Sequence, residues 1–106
     1  MDAAPFRWGV LMVNERTLRT TDVVEMNPAF LFRWEEPQQA YVLLYPEGLV
    51  KLNATAGEIL AAVADAVPVG DVVGRLTAAY DNPDIAEDIL AFLEASHERG
   101  WIRIKP

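Results

Sequence analysis

The sequence predicts an α+β fold in which a three-stranded antiparallel sheet is followed by a three-helix bundle. Short apolar and alternating runs fill residues 30–52, and apolar residues then recur at helical spacing from Asn53 onward. A chain of 106 residues has room for one domain with one core. We therefore expect a domain over residues 28–106, preceded by an N-terminal arm (residues 1–27) that is partly ordered or exchanged between subunits.

Three segments carry the expected strands. The run Phe30–Glu35 places an aromatic residue at every second position, as in a strand with one buried face. Tyr41–Tyr45 is apolar throughout, which favours the centre of the sheet. Pro46-Glu-Gly48 then suits a turn, so that Leu49–Leu52 returns antiparallel as the third strand. The third strand of such a meander lies at an edge.

Three helices follow. Thr55-Ala-Gly-Glu58 has the spacing of a capping box and predicts a first helix that runs to about Ala64. A second helix follows Pro68, and a third begins at Asn82-Pro83 and runs to Arg99, with Gly100 just beyond its end. The chain then closes in an extended tail. The apolar positions of the first helix are Ala56, Ile59, Leu60 and Val63, and those of the second are Val69, Val72, Val73, Leu76 and Tyr80.

Composition limits the classes of function. The formal net charge of −7 opposes contact with nucleic acid and with anionic membranes. The chain has no cysteine, which permits a cytoplasmic location and removes thiolate metal sites and cysteine nucleophiles. We interpret the single imidazole, His97, as a partly buried structural residue. We therefore expect no catalytic residue, no metal and no cofactor, and hence a protein that is not an enzyme.

Two features point instead to peptide binding. An edge strand carries unpaired backbone groups, which invite an extended peptide to add to the sheet. The apolar arc of the third helix spans roughly 160°, wider than the ~100° that a core-facing helix needs. Two alternatives stay open: the arc is simply buried, and Lys51 guards the edge against aggregation. The candidate peptide-binding residues are Leu49, Val50, Lys51, Leu52, Ile85, Ile89 and Phe92.

The chain also resembles the PqqD family of pyrroloquinoline quinone (PQQ) biosynthesis. The resemblance lies in Leu43-Leu-Tyr-Pro-Glu-Gly48, Lys51-Leu-Asn53, Glu58-Ile-Leu60, Asp88-Ile-Leu-Ala-Phe-Leu93 and Arg99-Gly-Trp101, and covers about residues 26–104. It departs at the connection between the first two helices, where family members commonly have an Asp-Gly turn and this chain has Ala64-Asp-Ala-Val-Pro68.

The resemblance implies a winged-helix-like fold that acts as a RiPP recognition element, a domain that binds ribosomally made precursor peptides. It implies a chaperone that binds the precursor peptide PqqA and presents it to the radical SAM enzyme PqqE. It also implies that the peptide adds beside the third strand and lies along the third helix. The rival interpretation is a winged-helix DNA-binding protein, which the acidic third helix disfavours.

The apolar arm further suggests a weak homodimer.

Overall fold

A computed structural model describes residues 18–106. Within that range the chain forms six strands and three α-helices, together with short 3₁₀ turns at Glu36–Gln38 and Pro83–Ile85. The elements, in chain order, are β1 (Val23–Met26), β2 (Leu31–Glu35), β3 (Ala40–Tyr45), β4 (Gly48–Lys51), α1 (Ala54–Val63), β5 (Val67–Pro68), α2 (Val69–Tyr80), α3 (Ala86–Glu98) and β6 (Ile102–Ile104).

The predicted meander is confirmed. Strands β2, β3 and β4 form an antiparallel sheet in that order, with β3 at its centre. The β3–β4 hairpin pairs Tyr45 with Gly48 and leaves Pro46 and Glu47 as a two-residue loop. The α+β class predicted from the sequence is therefore correct, and the three strands of the meander precede the three helices.

A second sheet was not expected from the sequence. Its order is β5-β1-β6, and β1 pairs antiparallel with both neighbours. Val24 is fully buried at its centre, opposite Val67 on one side and Ile104 on the other. Part of the segment that we assigned to the N-terminal arm thus packs within the domain. The remainder of that arm, with the homodimer it suggested, lies outside the described residues.

The core lies between the two sheets and the helices. The predicted buried face of α1 is confirmed, because Ala56, Ile59, Leu60 and Val63 are all buried. On α2 the valines and leucine at the predicted positions pack into or against the core, whereas Tyr80 is exposed. The fully buried Leu43 of β3 and Leu93 of α3 belong to the same cluster.

The start of α1 differs from the predicted capping box. The N-cap is Asn53, whose Oδ1 accepts a hydrogen bond from the Ala56 amide at 2.8 Å. Thr55 is therefore already inside the first turn, and the capping box at Thr55–Glu58 was wrong. Asparagine is among the strongest N-cap residues, and it comes two residues earlier in the chain.

The start of α2 has no capping side chain, because Pro68 occupies the N-cap. Backbone carbonyls from the segment before β1 take over that role. The Val69 amide donates to Asp22 O and the Gly70 amide to Thr20 O, each at 2.9 Å. The first amides of a helix lack partners within the helix, so these bonds stabilise α2 and hold the beginning of the described chain against it.

The end of α3 is confirmed as predicted. Gly100 has φ of 81°, in the left-handed region that favours glycine. Its amide donates to His97 O and the Trp101 amide donates to Ser96 O, which is the Schellman arrangement. The chain reverses here and pairs as β6 with β1, so the predicted extended tail is a strand of the second sheet.

Gly57 marks the closest approach between α1 and the meander. A Cβ atom at this position would meet Cδ2 of Tyr41 at 2.7 Å. Tyr41 is itself held by stacking on Phe32, with ring centroids 4.8 Å apart. The helix therefore lies against an aromatic surface that leaves no room for a methyl group.

We predict opposite effects for alanine at two helical glycines. Gly57→Ala should destabilise the domain by about 1–3 kcal/mol, because the sheet and α1 must separate or Tyr41 must shift. Gly74→Ala, where a Cβ would meet nothing within 4 Å, should stabilise it by about 0.5–1 kcal/mol through helix propensity. Urea unfolding of both variants measures the difference. Equal effects of the two substitutions would contradict the close packing at Gly57.

Glu94 of α3 is hydrogen-bonded to Leu18, the first described residue. This buried carboxylate accepts a hydrogen bond from the Leu18 amide at 2.7 Å, and the Leu18 side chain is buried in the core. We predict that Glu94→Ala lowers the free energy of unfolding by about 1–3 kcal/mol, since the substitution leaves a buried donor unsatisfied. Hydrogen exchange of the Leu18 amide should accelerate more than global unfolding alone explains. An unchanged exchange rate of the Leu18 amide in Glu94→Ala would show that this hydrogen bond does not hold Leu18 to α3.

Candidate functional site

Strand β4 is an open edge: among residues 18–106 it pairs only with β3. The Leu52 amide donates to Tyr41 O at 3.0 Å, which identifies the opposed residues Tyr41 and Leu52 as a hydrogen-bonded pair. Hydrogen-bonded and non-bonded pairs alternate in an antiparallel ladder. Leu43 and Val50 therefore bond to each other, and the backbone groups of Leu49 and Lys51 point away from the sheet.

The side chains of this strand divide between two faces. Val50 is partly buried and Leu52 is buried, and both pack with the core. Leu49 and Lys51 are exposed on the opposite face. Of the four strand residues predicted from the sequence, two thus present both their backbone groups and their side chains to solvent.

The predicted residues of the third helix are less accessible. Ile89 is 2% exposed and Phe92 is 7% exposed. Phe92 packs near Trp101, with ring centroids 6.4 Å apart. Most of the apolar arc is therefore covered by the domain itself, as one of the two sequence interpretations held. A direct contact between Phe92 and a peptide stays a prediction.

A cavity of about 330 Å³ lies where α1, α2 and the start of α3 meet. Ile85 and Ile89 both line it, so the structure brings two of the predicted residues together. No residue of β4 contributes to its wall, and the predicted site residues therefore fall into an open edge, a cavity and the core. The cavity is lined by Thr55, Ile59, Leu76, Tyr80, Asn82, Ile85, Asp88 and Ile89.

One polar contact beside this cavity was not foreseen. The hydroxyl of Tyr80, on α2, donates a hydrogen bond to Oε1 of Glu58, on α1. The bond to the carboxylate raises the pKa of Tyr80 above its ordinary 10.0, and burial and the negative charge of Glu58 act in the same direction. Sequence reasoning had placed Glu58 in a capping box and Tyr80 on a buried face, and the two residues are 22 positions apart.

Catalytic and metal-binding groups are sparse in the part of the chain that is described. His97 lies partly buried in the last turn of α3. Between residues 18 and 106 no group of three or more histidines and carboxylates is placed to hold a metal ion. Over the same range, no helix is both long and apolar enough to cross a membrane.

Comparison with known proteins identifies the family. The family model described as coenzyme PQQ synthesis protein D (PqqD) matches residues 40–102. The chain belongs to the PqqD family. A protein of Stutzerimonas stutzeri named "PqqA binding protein" is 43% identical over 89 residues, which cover 83% of this chain and 97% of that protein. A protein of Pseudomonas aeruginosa with the same name is 45% identical over 91 residues, covering 84% and 99%.

A solved structure shares the fold. The PqqD truncation of Methylobacterium extorquens PqqCD, described as a functional and stand-alone RiPP recognition element, superposes with a TM-score of 0.66 at 27% identity. The match covers 83% of this chain and 96% of that one. The PqqD family match at residues 40–102 includes the open edge β4, the cavity and α3, while β1 and β2 precede it.

We predict that Tyr80 titrates above its ordinary pKa of 10.0 and that Glu58→Gln returns it toward that value. Because the folded-state pKa is raised, the contribution of this hydrogen bond to stability is fully present below pH 10 and is lost as the pH rises through the folded pKa. Absorbance titration of the phenol in the wild type and in Glu58→Gln measures the shift. Tyr80→Phe identifies which of the tyrosines is observed, and identical curves with and without Glu58 would contradict the assignment.

Proposed function

We propose that this chain is a non-catalytic peptide chaperone of PQQ biosynthesis. It binds the precursor peptide PqqA by adding it as a strand beside β4. The carrying observation is the open edge, where Leu49 and Lys51 direct their backbone groups away from the sheet. The names of its relatives, "PqqA binding protein", support the same ligand.

The physical basis of binding is backbone pairing. An extended peptide beside β4 satisfies the outward N–H and C=O groups of Leu49 and Lys51 with bonds of ordinary ladder geometry. One face of the added strand extends the side of the meander that carries Leu49 and Lys51, and its other face lies next to the partly buried Val50. This mode supplies affinity without any catalytic group, in keeping with a binding role.

The proposal includes presentation of the bound peptide to the radical SAM enzyme PqqE in the cytoplasm. Edge pairing suits such a transfer, because it holds a short stretch of peptide and leaves the remainder free for another protein. A DNA-binding role is disfavoured by the exposed carboxylates of α3, Glu87, Asp88 and Glu98, which would face phosphate groups of the same charge.

We predict that Lys51→Pro binds PqqA at least about five-fold more weakly than Lys51→Ala does. Proline removes the outward amide of residue 51 while the ladder bonds to β3 remain, and a peptide carbonyl is left without its donor. Lys51→Ala is the matched control because it retains the amide. Isothermal titration of the full chain with PqqA measures the affinities, and circular dichroism verifies the fold of each variant.

Outward and inward backbone amides alternate along β4, and this alternation supplies a second comparison for the same experiment. Val50→Pro removes an amide that bonds to Leu43, so this variant should lose stability rather than binding alone. Wild-type affinity in a folded Lys51→Pro variant would eliminate strand addition at β4. If PqqE modifies the peptide through this chaperone, Lys51→Pro should also slow that modification relative to Lys51→Ala.

A further inference from the structure

The face of the meander that carries Leu49 and Lys51 is organised in cross-strand rows that end at the open edge. The register places Leu31, Leu44 and Leu49 side by side. Leu31 is 54% exposed and Leu49 is 47% exposed, so both ends of this row carry apolar surface into solvent. The neighbouring row consists of Arg33, Val42 and Lys51, and Val42 at its centre is fully buried. At the edge, an apolar side chain therefore stands two residues from a cation.

These two side chains belong to the residues whose backbone groups point outward. A strand added to β4 must pair with Leu49 and Lys51, because Val50 already bonds to Leu43. Directly opposed residues in an antiparallel pair have Cβ atoms about 4.5–5.5 Å apart, and their side chains interact. The residues of the added strand that lie opposite Leu49 and Lys51 therefore extend the two rows by one position.

The Lys51 side chain is exposed at this edge. No hydrogen bond or ion pair joins the ammonium group of Lys51 to another residue between 18 and 106. Arg33, at the other end of the same row, is already bonded to Glu35, with Nε 2.8 Å from Oε2. The chain as a whole has a net charge of −7, so an acidic ligand is repelled by much of the surface and attracted locally at Lys51.

We infer that this edge selects a peptide segment with an acidic residue opposite Lys51 and an apolar residue opposite Leu49, two positions apart. In the antiparallel arrangement the acidic residue comes first. The residue between them lies on the face of Val50, above the core. A slip of one position would move the carboxylate to that apolar face, so the pair also fixes the register of the bound peptide. This inference rests on the function proposed above and specifies which peptides the edge accepts.

A charge exchange between protein and peptide tests the inference. The full chain and its Lys51→Glu variant are titrated with PqqA and with a set of PqqA peptides in which each Asp or Glu is replaced singly by Lys. The matched control is Lys105→Glu, an exposed lysine beyond β6 in the other sheet. Lys51→Glu should weaken binding of unmodified PqqA about three- to ten-fold, since an attraction becomes a repulsion. Lys105→Glu should change it less than about two-fold.

The decisive result is rescue. One Lys-substituted peptide should bind wild type weakly and regain affinity for Lys51→Glu to within about two-fold of the original pair. Replacing the apolar residue two positions after that acid by Ser should weaken binding as much as Leu49→Ser does, with little further loss when both are changed. High salt should reduce the charge coupling but not the apolar one.

The outcomes separate this inference from the proposed function. If PqqA shifts the amide resonances of Leu49 and Lys51 but no acidic position is rescued, the selection rule is overturned while strand addition stands. If PqqA binds without perturbing those amides, both strand addition at β4 and the selection rule are overturned. If Lys substitutions at several unrelated acidic positions of the peptide each restored binding to Lys51→Glu, Lys51 would act only through general electrostatic attraction. This result would also overturn the rule.

Discussion

The hydrogen-bonding register of the β3–β4 hairpin decides which residues of β4 direct their backbone groups away from the sheet. A two-residue loop pairs Tyr45 with Gly48, and every second pair from there is hydrogen-bonded. Val50 consequently turns its backbone inward and its side chain toward the core, while Leu49 and Lys51 do the opposite. One additional residue in the loop would exchange these roles and bury a lysine beneath the sheet. The open edge and the core are thus set by the same short turn.

The second sheet connects the segments that flank the meander and the helices. Strand β1 lies between β5 and β6 and ties the segment before the meander to the segment after α3. Backbone carbonyls at Thr20 and Asp22 cap α2, and Glu94 of α3 holds the Leu18 amide. The segment before β1 is therefore hydrogen-bonded to both α2 and α3.

Local pattern sufficed for much of this fold. Aromatic alternation, an unbroken apolar run and the Pro-Glu-Gly turn predicted the meander, and Gly100 predicted the end of α3. Strands β1 and β5 were missed because they have four and two residues and depend on partners far away in the chain. The cap at Asn53 was missed because Thr55 and Glu58 fit a known spacing equally well by sequence alone.

The candidate site was predictable only in part for a related reason. Edge position follows from strand order, which the sequence indicated. Whether an apolar side chain of a helix is buried or lines a cavity depends on the element that packs against it. A helical wheel does not contain that information. Ile85 and Ile89 therefore meet in a cavity while Phe92 lies in the core, although all three share one arc. The contact between Tyr80 and Glu58 likewise depends on how α1 and α2 cross.

The pairing of β1 with β6 has a consequence for how such a domain can be carried within larger proteins. Val24 lies opposite Ile104, and the Lys105 amide donates to Val23 O, so the end of β6 lies beside the start of β1. Both connections belong to one sheet, and the open edge belongs to the other. A further segment attached after β6 would join the sheet that does not contain β4, so a covalent partner can be added there without altering the open edge.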